Sequence, residues 1–221
     1  MQKVSDIRKA FLEKLEKKEF VIDKSGVQTV EIVGAHFLAD EDLIFGARND
    51  DYIARELAWY QSQSLNVNDI PAPVPKIWQQ VATPDGRINS NYGYLVFSKE
   101  NGDQYEHALN ALVKDPFSRR AIMIYTRPSI QTEYNRDGMS DFICTNAHQY
   151  FIRDGKLVAH VTMRSNDAVF GYKNDVAWAR YVQNRLVEDY RKRTGAFMTP
   201  GDLIWTVGSL HVYERHFSFV K

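Results

Sequence analysis

The sequence has 221 residues, 44% hydrophobic and 13% aromatic, enough to bury one large core in a single domain over 1–221 and short for two full domains. Lys plus Arg and Asp plus Glu both number 28, so the net charge is zero, and no basic run stands out to track a nucleic-acid backbone. No apolar run approaches membrane-spanning length, and a single cysteine, Cys144, excludes an internal disulfide framework and any cysteine-based metal cluster, each of which needs at least two.

The opening residues, MQKVSDIRKAFLEKLEKKEF, place apolar groups at helical spacing without the apolar core of a signal peptide. They predict an amphipathic helix over about Val4 to Lys18 and a soluble, cytoplasmic protein. The β-branched run VQTVEIVG, Val27 to Gly34, predicts a strand. A helix is expected over Asp50 to Ser62. The three prolines of PAPVPKIW predict an extended surface loop from Pro71 to Trp78. Another helix is expected near Asp103 to Lys114, followed by a buried strand in AIMIY, Ala121 to Tyr125.

Asp154-Gly155 is a favoured two-residue turn flanked by AHQYFIR and KLVAHVTMR, the mark of a β-hairpin. If the first arm is extended throughout, Cys144, Asn146 and His148 share one face; on the second arm Val158, His160, Thr162 and Arg164 do so. Ala179, Val182, Leu186 and Tyr190 form the apolar stripe of a long helix, and DLIWTV leads as a final strand into SLHVY. Helices interleaved with antiparallel strands, without regular βαβ alternation, indicate an α+β fold.

Residue by residue, the chemical signals are modest. Cys144 can be a buried small hydrophobe or, with polar Thr145 and Asn146 beside it and Arg164 on the facing arm, a thiolate nucleophile. Arg119-Arg120 is either a solvated strand entrance or a bidentate phosphate clamp. Most glutamates placed as Glu56 is are exposed. His211 and Tyr213 fall on one side of a strand, and Asp167 and Asp175 flank Gly171 in what can be simple turn chemistry.

Order and spacing add what single residues lack. CTNAHQYFIRDGKL, MRSNDAVFGYKND and VGSLHVY resemble the thymidylate synthase superfamily, with RSxDxxxG the most specific marker. RELAWY with Glu56, PKIW with Trp78, NYG with Tyr92 and SRR with Arg119-Arg120 fall where that family has its own motifs, so the likeness runs from about Asp23 to Tyr213. YTRPS, DGMSDF, SNYG, VFG and WTVGSLHVY resemble the branch of T-even phage type that hydroxymethylates dCMP.

The resemblance implies a thymidylate-synthase-like α+β fold, with a large mixed or antiparallel sheet packed by helices. It implies a one-carbon transfer from 5,10-methylenetetrahydrofolate to carbon 5 of dCMP, without a metal. Cys144 is then the nucleophile, and Glu56 orders water and relays protons. Arg164, Ser165 and Lys24 hold the 5′-phosphate, joined by Arg119 and Arg120 from the other subunit of a homodimer. His211 and Tyr213 bind the sugar hydroxyl, Asp167 the pterin, and Trp78 and Tyr92 line the pocket.

Asp175 stands where thymidylate synthases have asparagine. An acceptor-only carboxylate matches the exocyclic amine of cytosine and mismatches the uracil carbonyl. Thr145, Lys24 and Val81 are further departures, at positions where the synthases carry histidine, arginine and a second tryptophan. Two related activities compete with hydroxymethylation, a dCMP methylase and a dUMP-specific enzyme. A non-catalytic nucleotide-binding protein is the alternative of another class, and a thiol-dependent hydrolase would need a histidine partner for Cys144.

Overall fold

The structure is a computed structural model that describes residues 1–22 and 26–221. In chain order the elements are β1 (Gln2–Lys3), α1 (Val4–Glu16), β2 (Val21–Ile22), β3 (Gln28–Leu38), α2 (Asp50–Ser62), α3 (Lys76–Val81), α4 (Tyr92–Phe97) and α5 (Gln104–Lys114). There follow β4 (Ile122–Ile124), α6 (Ile130–Glu133), β5 (Thr145–Arg153), β6 (Lys156–Asp167), α7 (Gly171–Thr194) and β7 (Thr199–Tyr213). The chain divides into two compact units, one of residues 1–48 and 152–221, the other of residues 49–151.

In the first unit β3 lies between β1 and β7, parallel to β1 and antiparallel to β7, and β7 runs parallel to β6. The sheet is therefore mixed, as an α+β fold with long crossovers requires. Its core face is covered by α1 through Val4, Ile7 and Phe11, and by α7 through the predicted stripe of Ala179, Val182, Leu186 and Tyr190, all buried. In its first half α7 is also strapped to the loop that follows β3. Tyr172 donates to the Glu41 carbonyl, Lys173 to that of Ala47 and Arg180 to that of Ala39.

This sheet has a feature that strict alternation does not anticipate. Ala35 and Phe37 in β3, Val161 and Met163 in β6, and Trp205 and Val207 in β7 face the core; beyond them the buried positions become Val30, beside buried Thr29 at the strand's start, Asn166, and Leu210 with Val212. All three strands change phase in one aligned row. Ala35 pairs with Val207 and Met163 on one side of it, and Val33 pairs with Ser209 and Ser165 on the other. Gly34, at φ +70°, and Gly208 stand in the row itself. A Cβ on Gly208 would sit 2.7 Å from the Arg164 carbonyl oxygen, so glycine is what lets β6 and β7 approach there. A one-residue change of phase exchanges the two faces of a strand. It moves Ser165, Asp167, Ser209, His211 and Tyr213 off the core side, where unbroken alternation would have buried them.

In the second unit β4 and β5 pair antiparallel, and α2, α4 and α5 pack together around Ile53, Trp59, Leu95, Val96, Leu109 and Leu112. Helix α2 has the predicted bounds, with Asn49 capping it by accepting from the Tyr52 amide. The prolines hold the chain extended only to Pro75, after which Trp78 lies on α3 rather than in a loop. The AIMIY strand shrinks to Ile122–Ile124 and is not wholly buried: Met123 points inward while Ile122 and Ile124 are exposed. The turn at Asp154 and Gly155 leads from β5 into β6 with both residues at positive φ, as a type I′ turn needs.

Candidate active site

In the second unit Cys144 immediately precedes β5, between buried Ile143 and Thr145. The thiol is half-buried, with Sγ 3.8 Å from the Phe142 carbonyl oxygen, so it is not a sealed small hydrophobe. Thr145 Oγ1 donates to the Tyr92 hydroxyl at 2.9 Å. Tyr92 is itself buried, stacked on Tyr60 and edge-on to Tyr125. His148 does not share a face with Cys144 and Asn146. It is buried against the Tyr125 and Tyr150 hydroxyls, and burial pushes its pKa down to about 3, leaving a neutral ring.

Glu56 departs from the usual exposed glutamate, being 5% exposed on the stripe of α2 that also buries Ile53 and Tyr60. A buried carboxylate requires donors. It finds them in the Tyr52 hydroxyl at 2.6 Å and Trp78 Nε1 at 3.0 Å, both on Oε1. The structure thus joins Glu56 and Trp78 and adds Tyr52, which the sequence reading did not single out; its signal was the i, i+4 spacing to Glu56 on a predicted helix. Arg119 and Arg120 are exposed, with their backbone pinned where Gln149 Nε2 donates to the Arg119 carbonyl and the Arg120 amide to Ser118 Oγ.

In the first unit Ser165, Asp167, His211 and Tyr213 lie just past the phase change, and Asp167 is paired with His211 across β6 and β7. The His211 ring meets the Tyr213 ring edge-on at 4.8 Å, so the two do lie together. Asp167 Oδ1 accepts from the Val169 and Phe170 amides, which turns the chain into α7 and fixes the carboxylate. Arg164 is exposed in the kinked row. Lys24 lies outside the described residues.

Asp175 sits on α7 rather than in a turn, and its Oδ2 accepts from Asn166 Nδ2 at 2.7 Å. Asn166, 3% exposed, is a second residue the sequence reading passed over, although it stands inside RSND. Its amide has a fixed sense, because Trp205 Nε1 can only donate and gives its proton to Asn166 Oδ1. Gly171 leaves room for this pair; a Cβ there would come within 3.2 Å of Asn166 Nδ2.

The second unit thus holds a half-buried thiol and a buried carboxylate with two donors, and the first holds a carboxylate that accepts from a fixed amide and a row of polar groups past the phase change. A family model for thymidylate synthase matches residues 15–221. The chain belongs to the thymidylate synthase family. Among similar family members, the deoxycytidylate 5-hydroxymethyltransferases of Enterobacteria phages T4 and T2 are each 58% identical over 207 residues, covering 93% of this chain and 84% of the relative. A thymidylate synthase of Bacillus subtilis subsp. natto is 32% identical over 174 residues, 76% of this chain and 58% of the relative. Among the described residues no group of three or more His, Cys, Asp or Glu side chains is arranged to hold a metal ion, and no helix is long and apolar enough to cross a membrane.

Proposed function

We propose that the chain is a deoxycytidylate 5-hydroxymethyltransferase, converting dCMP, methylenetetrahydrofolate and water to 5-hydroxymethyl-dCMP and tetrahydrofolate. The observation that carries this reading is the 58% identity over 207 residues to phage enzymes of that name. One family match continuous over 15–221 supports a single catalytic domain. The phage relatives support a place in the cytoplasm of an infected host.

The Cys144 thiolate adds to carbon 6 of dCMP, which makes carbon 5 a nucleophile; this is covalent activation of an otherwise inert ring. The folate supplies the one-carbon unit that carbon 5 takes up. Asp167, with one oxygen fixed by two backbone amides, suits the donors of a pterin ring, and half-buried Trp78, tied through Nε1, offers a fixed indole face. Loss of the carbon 5 proton, with release of tetrahydrofolate, leaves an exocyclic methylene on the nucleotide; water adds to it, and the cysteine is expelled. Glu56 relays the protons. Arg164, Ser165 and Lys24 hold the phosphate with Arg119 and Arg120 of the partner subunit in a homodimer, His211 and Tyr213 hold the sugar, and Tyr92 backs the pocket.

Asp175 reads the base. Its carboxylate accepts from the exocyclic amine of cytosine, whereas a uracil carbonyl would meet a second acceptor. The test is mass analysis of the nucleotide after incubation with dCMP and methylenetetrahydrofolate. The expected product is heavier by one CH₂O, with tetrahydrofolate released. A gain of one CH₂ with dihydrofolate would show a methylase, and turnover of dUMP in place of dCMP would show a uracil-specific enzyme.

A further inference from the structure

Tyr52, Glu56 and Trp78 form a closed triangle of polar atoms within the second unit. The Tyr52 hydroxyl is 2.6 Å from Glu56 Oε1, Trp78 Nε1 is 3.0 Å from the same oxygen, and Trp78 Nε1 is 3.1 Å from the Tyr52 hydroxyl. An indole N–H can only donate. It therefore donates to both oxygens, and the single phenolic proton of Tyr52 is directed at Glu56. Two donors converge on Oε1, in a site where Glu56 is 5% exposed. Hydrogen bonds to the charged form of a carboxylate favour that form, and a chain of donors strengthens each link. A proton on Oε1 would face both donors at once.

We propose that Tyr52 is a positioning residue for the proton relay: with Trp78 it holds Glu56 through Oε1 and biases the carboxylate toward its ionised form. The proposal rests on the reading of Glu56 as the relay. The spacing places Tyr52 one helical turn before Glu56 on α2, so its hydroxyl reaches the carboxylate without a long-range contact. The Arg55 guanidinium lies 5.6 Å from the centroid of the Tyr52 ring. It is held by Asp51 and by the carbonyls of Pro71 and Pro73. A fixed cation beside the ring makes the phenol a stronger donor, which adds to the bias toward an ionised Glu56.

Tyr52→Phe keeps the ring and its contact with Arg55 and removes only the hydroxyl. The pH profile of kcat/KM for dCMP is compared among the parent, Tyr52→Phe and Glu56→Gln. In Tyr52→Phe the acid limb should move up by about one pH unit, the worth of a charged hydrogen bond, with kcat reduced and KM for dCMP held. A merely structural tyrosine would change the melting temperature and leave the limb in place. An unmoved limb with kcat unchanged overturns the proposal while leaving Glu56 in its role. Parent-level turnover in Glu56→Gln overturns the relay itself. Should Tyr52→Phe fail to fold, Trp78→Phe removes the other donor on Oε1; its acid limb should move the same way, and an unmoved limb there counts against the proposal equally.

Discussion

At the residue scale the proposal that Asp175 reads the base turns on the polarity of one hydrogen-bond chain. Trp205 donates to Asn166, and Asn166 must then present its amide nitrogen to residue 175, so whatever stands at 175 has to accept. Asp175→Asn can satisfy this only by turning its carbonyl toward Asn166, which points its own NH₂ group away and makes it a donor suited to uracil. The ratio of kcat/KM for dCMP over dUMP should fall by about one to two decades, from the loss of a charged hydrogen bond worth roughly 1.5 to 3 kcal/mol. An unchanged ratio would assign base reading to another residue. Cys144→Ser should lose turnover yet keep dCMP affinity, measured by calorimetry, because the phosphate and base contacts do not use the thiol.

At the element scale the second unit depends on two tight features. The first is the NYG turn, where α4 crosses α2. A Cβ on Gly93 would lie 1.7 Å from the Tyr60 carbonyl oxygen, a backbone atom that cannot yield as a flexible side chain would. Gly93→Ala must push α2 and α4 apart, loosening the helix that carries Glu56 and the Tyr60–Tyr92 stack. We expect a loss of about 2 kcal/mol or more, read as a lower urea midpoint, and parent-like stability would show that the helices separate at no cost. The second feature is the buried His148 of β5, neutral in the fold with a pKa near 3 against 6.5 for the free side chain. Between those values the unfolded chain binds a proton that the folded chain refuses, so stability falls as the pH drops through that window and is untouched by this group above it. The expected slope is about 1.4 kcal/mol per pH unit. His148→Gln should flatten the dependence of unfolding free energy on pH by up to that amount; identical slopes would refute a buried neutral ring.

At the scale of the whole molecule the homodimer reading makes a prediction that no single chain can satisfy. If each site borrows Arg119 and Arg120 from the partner, inactive Arg120→Ala and inactive Cys144→Ala proteins should regain activity when mixed, because a heterodimer holds one site with both groups intact. Up to half of the sites in each heterodimer can be complete. Subunit exchange is verified first, by mass spectrometry of differently labelled chains. Exchange without any return of activity would place the arginines and the thiol of one site on the same chain.

The sequence by itself determined what depends on local period and local chemistry. The bounds of α2, the core stripe of α7 and the Asp154-Gly155 turn follow from helical spacing, capping and positive-φ preference, all short-range effects. The ordered motifs also identified the family, since their spacing is written in the chain. Only the tertiary structure decided which face each polar group takes. The aligned change of phase at Gly34, Gly208 and Arg164 needs three strands in register, and no single strand's alternation reveals it. The same holds for Glu56 and Trp78 and for Asn166 and Trp205, which are separated by 22 and 39 residues. The burial of Glu56 likewise follows from donors brought to it by folding. A buried charge or amide is stable only where the fold delivers its partners, and that delivery is a property of packing that no local pattern encodes.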